Sequence, residues 1–172
     1  MINPFKKTYT KHEHNLFLFL KNIEIFSKLT NQELSLFLPH MHERSFEQNE
    51  VVFFRNDPSH ALYLLRKGEV ELNLDINEEF EPLITLDTTC AIGESCLLKS
   101  TKRQLNAFVI SETAEFYVIP QDNIFNIFEG NTALKAKMLE SLATIYNNYN
   151  ADLFKAYKSS MGFFNLRELY NR

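Results

Sequence analysis

Residues 69–75 read Glu69-Val70-Glu71-Leu72-Asn73-Leu74-Asp75, with an apolar side chain at every second position and a charged or amide side chain between. Successive side chains of an extended chain point to opposite faces, so this stretch predicts a strand with one buried and one wet face. Lys67-Gly68 precedes it as a turn signal, and Ala61-Leu62-Tyr63-Leu64-Leu65-Arg66 before that reads as a second strand. On the other side, the acidic run Glu78-Glu79-Phe80-Glu81 is expected to be a solvated hairpin tip that leads into a strand over 82–86. Further out, strands are expected over 42–46, 51–54, 105–110 and 114–119, with turns at Asn49 and Asn56-Asp57-Pro58. Seven or eight short strands, with no helices between most of them, predict a mainly β fold with flanking α. We expect an eight-stranded β-roll or jelly-roll barrel rather than a parallel sheet.

Helical periodicity flanks this region. Residues 12–28 are apolar on a helical spacing. Thr30-Asn31-Gln32-Glu33 forms a capping box that starts a short helix through Leu34, Phe37 and Leu38, stopped by Pro39. After Pro120 a helix is expected over 121–128. Gly130-Asn131-Thr132 then interrupts, and a longer helix is expected over 132–157. Its stripe is Leu134, Met138, Leu142, Ile145, Tyr149 and Leu153. Phe163 to Tyr170 could add a turn or two. The 172 residues are read as one domain over 1–172. It comprises N-terminal helices over about 12–40, a roll over 41–120 and C-terminal helices over 121–172.

Composition narrows the class. Apolar residues make up 45% of the chain, enough for a core, and the formal charge of −4 argues against a nucleic-acid binder. Cys90 and Cys96 are too few and too close for a disulfide framework and read as reduced thiols. Leu16-Phe17-Leu18-Phe19-Leu20 is too short to span a membrane or to serve as a signal core, so a cytoplasmic protein is expected. His40 and His42 could converge on one strand face, but a zinc site needs three or four ligands, and no metal is expected. No nucleophile motif or phosphate-binding Gly-Lys loop is present, and no enzyme is expected.

One spacing carries chemistry. Gly93-Glu94 stands ten residues before Arg103. A glycine permits close backbone approach to a ligand, a glutamate can accept hydrogen bonds from a sugar hydroxyl, and an arginine can fork onto a phosphate. If the loop folds back on itself, one small site holds all three.

An ordered set of segments resembles the cyclic nucleotide-binding domain family over roughly 23–155. The segments are Ile25-Phe26-Ser27-Lys28-Leu29-Thr30 with Glu33-Leu34; Asn49-Glu50-Val51-Val52-Phe53 with Asn56-Asp57; Tyr63-Leu64-Leu65 with Lys67-Gly68-Glu69-Val70; Ile92-Gly93-Glu94-Ser95-Cys96-Leu97-Leu98 with Arg103; and Val118-Ile119-Pro120. The family usually has glycine where this chain has Asn49 and Asn56, and asparagine best replaces glycine where φ is positive. The resemblance implies that Glu94 meets a ribose hydroxyl and Arg103 an exocyclic phosphate oxygen. It also implies that backbone amides near Gly93, Ser95, Cys96 and Gln104 complete the phosphate cradle. Leu72, Leu74, Leu83 and Leu86 are candidate walls against ribose and base.

The chain departs from the family at Gln104 and Leu105, which are bulky where small residues are usual; Leu105 could fill the space meant for ligand. Counting forward from Gly93 puts Arg103 at the clamp. Counting back from Ile119 favours Gln104, unless the hairpin near Glu112–Ala114 carries one extra residue.

The resemblance implies a stand-alone sensor of cyclic AMP or cyclic GMP, with no other cofactor, signalling through its C-terminal helices to a second copy or another protein. Tyr146, Tyr149 and Phe154 could cover the base. The alternative is a non-binding member of the family that serves as an interaction scaffold. A third reading, a DNA-binding transcription regulator, needs a reader that Phe163–Arg172 cannot supply. No direct DNA or membrane binding is expected unless the chain is a fragment.

Overall fold

A computed structural model describes residues 8–161 apart from 78 and 88. The chain enters through helix α1 (Lys11–Lys21), opened by a capping box in which Thr10 Oγ1 accepts from the Glu13 amide while the Glu13 carboxylate accepts from the Thr10 amide. The helix expected to end near Ile25-Phe26 stops at Lys21, with Asn22 as its C-cap. Ile23 turns extended and a short 3-10 turn follows over Glu24–Phe26. The break has a packing reason. Ile23, Ile25 and Phe26 are all buried, whereas a continuous helix would turn Ile23 and Ile25 to nearly opposite sides. Thr30 and Glu33 form the expected second capping box, and α2 (Asn31–Leu34) ends after one turn. A 3-10 turn over Leu38–His40, with Pro39 in it, delivers the chain to the sheets.

Eight strands follow: β1 (His42–Glu47), β2 (Val51–Phe53), β3 (Ala61–Lys67), β4 (Val70–Ile76), β5 (Glu79–Leu86), β6 (Cys90–Ile92), β7 (Asn106–Val109) and β8 (Thr113–Pro120). They form two four-stranded sheets, in order β1-β8-β3-β6 and β2-β7-β4-β5, with every pairing antiparallel. This is the expected β-roll. Strand β6 escaped the sequence reading because Cys-Ala-Ile is too short to alternate; its pairing of Tyr63 with Ile92 creates it. The acidic run is corrected too. Glu79, Phe80 and Glu81 lie inside β5, paired with Ile76, Asp75 and Leu74. Asn77, at φ 52°, makes the turn before them. Asn49 (φ 67°) and Asn56 (φ 69°) hold the left-handed conformation expected of glycine replacements.

The first sheet is covered on both faces. On β3, Leu62 and Leu64 face a helical cluster, while Tyr63 and Leu65 face the roll interior. On β8, Tyr117 and Ile119 point to the helices, and Ala114 and Phe116 to the interior. Burial on both faces explains the unbroken apolar run Leu62–Leu65. The roll interior also holds Val52, Val70, Ile92 and Val109.

The chain closes with α3 (Gln121–Gly130) and α4 (Thr132–Met161). The α4 stripe divides: Leu134, Met138, Leu142 and Ile145 are buried with Phe17, Leu20, Phe26 and Phe37, whereas Tyr149 and Leu153 are 57% and 64% exposed. Lys137 anchors the first turns of α4 to Glu33 by bonds of 2.8 and 2.9 Å. The segment from Phe163 to Tyr170 lies outside the described residues. No described helix is long and apolar enough to cross a membrane.

Candidate ligand-binding site

Strand β6 ends at Ile92, and Gly93 after it takes φ 79° and starts a 3-10 turn over Glu94–Leu97. Arg103, ten residues on, folds back onto this turn. Its Nη1 donates to the Gly93 carbonyl at 3.0 Å and its Nη2 to the Ala61 carbonyl on β3 at 2.7 Å. The guanidinium carbon lies 4.2 Å from the Phe53 ring centre and 5.7 Å from that of Tyr63. A Cβ on residue 93 would stand 1.9 Å from Nη1. The glycine is thus required twice, by its φ and by the approach of the arginine.

Of the two register alternatives, the chain turns Arg103 inward, at 4% exposed, and leaves Gln104 exposed with its side-chain amide on the Lys102 carbonyl. The backbone secures this. The Arg103 amide donates to the Asp57 carbonyl, and the Asn56 amide donates to the Arg103 carbonyl. Leu105 is half-buried and joins neither hydrophobic cluster.

The buried guanidinium is electrostatically incomplete. Among the described residues no carboxylate stands within ion-pair distance of it, and its Nε–H has no hydrogen-bond partner. Burial lowers its pKa from the ordinary value, partly opposed by the fields of Cys96, Tyr63, Glu94 and Asp57. Burial likewise raises Glu94 above the usual carboxylate value, against hydrogen bonds from the backbone and from Tyr149 and the pull of Arg103. The Tyr149 hydroxyl, on α4, donates to Glu94 Oε1 at 3.4 Å.

The turn between these groups is tied down. The Cys96 amide donates to the Gly93 carbonyl, closing the turn internally, so this amide, which the resemblance assigned to a phosphate cradle, is already engaged. Ser95 Oγ lies 2.9 Å from the buried Ser59 Oγ, and Thr101 Oγ1 donates to the Ser95 carbonyl. Gln121, the first residue of α3, donates to the carbonyls of Cys96 at 2.7 Å and Leu98 at 3.1 Å. Burial pushes both thiols, Cys90 and Cys96, up to about 12, which leaves them weak nucleophiles.

The expected wall is partly rearranged. Leu72 and Leu86 pack against the roll interior, and Leu74 shares the Leu72 face of β4. Leu83 does not join them. A register shift between Leu72↔Ile84 and Asn73↔Pro82 leaves it without a ladder partner and 54% exposed. Direct partners share a face, so the position beside Leu72 belongs to Ile84, itself 51% exposed at the rim. Phe53 and Tyr63, the aromatic bed of Arg103, were legible only as strand residues. His40 Nδ1 faces Asn123 Nδ2, and among the described residues no group of three or more His, Cys, Asp or Glu could hold a metal ion.

Residues 43–131 match the family model of the cyclic nucleotide-binding domain. A protein of Rhodopseudomonas palustris named as a potassium channel is 32% identical over 91 residues, covering 53% of this chain and 22% of that protein. The cyclic AMP receptor protein of Thermus thermophilus is 26% identical over 104 residues, covering 60% of this chain and 48% of that protein. The chain therefore spans less than half the length of either relative. Among solved structures, the regulatory domain of Toxoplasma gondii PKA in complex with cAMP superposes with a TM-score of 0.63 at 20% identity, covering 70% of this chain and 46% of that one.

Proposed function

Because this chain belongs to the cyclic nucleotide-binding domain family, we propose that it is a regulatory sensor of a cyclic mononucleotide, cyclic AMP or cyclic GMP, that signals through α3 and α4. The observation that carries this reading is Arg103: a buried guanidinium with an orphaned Nε–H and no carboxylate paired to it among the described residues. A buried cation is costly without a counter-charge, and a phosphate would supply one. Arginine has five N–H donors, so Nε and the second hydrogens of both Nη atoms remain for phosphate oxygens while the carbonyl bonds persist. Glu94 is the acceptor for a ribose hydroxyl. Leu72, Leu74, Leu86 and Ile84 would wall the ribose and base.

In this reading the whole chain acts as one cytoplasmic, non-enzymatic regulatory domain, and its output is a change in α3 and α4 read by a second copy or another protein. Cyclic AMP is favoured because the PKA domain it resembles holds cAMP. Titration calorimetry with each nucleotide tests it. Hydrogen bonds to charged groups contribute about 1.5–3 kcal/mol each, so Arg103→Ala should weaken binding about ten- to hundred-fold or more. Lys102→Ala, on an exposed neighbour, should leave binding unchanged. The absence of both heat and a thermal shift with millimolar nucleotide would overturn the reading. Arg103 would then be a strut joining Gly93 to Ala61, which is the scaffold alternative.

A further inference from the structure

Glu94 has a partner before any ligand arrives. Its Oε1 accepts from the hydroxyl of Tyr149, fifty-five residues away on α4. Tyr149 stands where the helix leaves the body: Leu142 and Ile145, two turns and one turn earlier, are buried in the helical cluster, while Leu153, one turn later, is 64% exposed. Beyond Ile145 the described residues of α4 are half-buried or exposed, and this phenol ties that part of the helix to the roll. The contact is long and the tyrosine is 57% exposed, so it can be broken. The phenol also offers Glu94 the same chemistry as a sugar: one neutral O–H donor.

We propose that Tyr149 is a specificity-determining residue of this site, because its hydroxyl occupies Glu94 Oε1 and a ligand hydroxyl that takes this oxygen must displace it. This rests on the reading of Glu94 as the ribose acceptor. A nucleotide with a free 2′-hydroxyl exchanges one O–H···O bond for another and releases the outer half of α4. A nucleotide lacking that hydroxyl has nothing to exchange. Tyr149 is thus a competitor for the carboxylate, the opposite of a lid residue that helps to hold the ligand.

Tyr149→Phe removes only the hydroxyl and separates the two roles. Titration of the full chain with cyclic AMP and with 2′-deoxy cyclic AMP should show the variant binding cyclic AMP about two- to tenfold more tightly than the wild type, the loss of one modest competing hydrogen bond. Affinity for the 2′-deoxy compound should change little. Weaker or unchanged binding of cyclic AMP by the variant overturns the proposal. Hydrogen exchange without ligand gives an independent readout: amides of 146–157 should exchange faster in both Tyr149→Phe and Glu94→Gln. Unaltered exchange in both variants also overturns it. If the wild type binds neither nucleotide but Tyr149→Phe binds cyclic AMP, the competition is confirmed in its strongest form. If neither protein binds while exchange still rises, the sensor reading fails and the Tyr149 tether stands without a ligand to displace it, which overturns the specificity role.

Discussion

Gly93 and Arg103 are mutually dependent. The arginine needs a backbone that carries no side chain at position 93, and the glycine needs a reason to hold φ 79° beside a buried cation. Placing an ordinary residue in that conformation costs about 1–3 kcal/mol, and the clash at Nη1 adds to it. Gly93→Ala is therefore expected to lower the urea midpoint and to push Arg103 out of its place over Phe53, with nucleotide affinity falling alongside stability. A variant of wild-type stability and wild-type affinity would show that the turn relaxes without consequence. The same local logic covers Asn49 and Asn56, whose positive φ values are those that asparagine tolerates best among side-chain-bearing residues.

Among the elements, α2 is too short to stand by propensity alone. Its stability comes from Thr30 and Glu33, which cap it reciprocally, and from Lys137, which reaches the same carboxylate from α4. Burial pushes Glu33 upward, but the hydrogen bonds from Lys137 and Thr30 outweigh it and hold its pKa below the usual 4.5. A carboxylate depressed on folding adds stability that is present above its unfolded value and lost as pH falls through its folded value. Glu33→Gln should accordingly destabilise the chain by about 1 kcal/mol at pH 7, the usual scale of a lost cap or ion pair. The two proteins should converge toward pH 3, as followed by urea unfolding at each pH. A difference independent of pH would assign the effect to packing. Such a loss matters beyond α2, because Glu33 and Lys137 fix the inner end of the helix whose Tyr149 meets Glu94.

At the level of the whole molecule, one sheet separates two hydrophobic clusters. The roll interior lies on one side, and on the other lie the helices that precede and follow the roll in sequence. Helices that are distant in sequence are thereby joined in one core, with Phe26 and Phe37 stacked edge-on at 5.2 Å among residues of α1, α3 and α4. Phe26→Ala should cost about 3–5 kcal/mol. It should also accelerate exchange of α4 amides more than those of β4 and β7, which belong to the roll. Equal acceleration in both would mean that the two clusters open as one unit. Two hydrogen bonds join the site to the C-terminal helices: Gln121 ties the Glu94–Leu97 turn to the start of α3, and Tyr149 ties Glu94 to the outer part of α4.

Local periodicity and local chemistry determined most of the architecture. The alternation at 69–75, the capping box at Thr30, and the asparagines at turns each act within a few residues and could be read in one dimension. The spacing from Gly93 and Glu94 to a clamp at Arg103 or Gln104 was legible for the same reason, since it lies within one loop. Tertiary structure alone decided which of Arg103 and Gln104 points inward, because that depends on backbone bonds to Asn56 and Asp57 on another segment. It alone placed Ile84 rather than Leu83 beside Leu72, because one skipped residue in a ladder reverses which side chain faces in. It alone made a strand of Cys90–Ile92 and brought Tyr149 to Glu94, since three residues without alternation and a contact across fifty-five positions leave no periodic trace in a sequence.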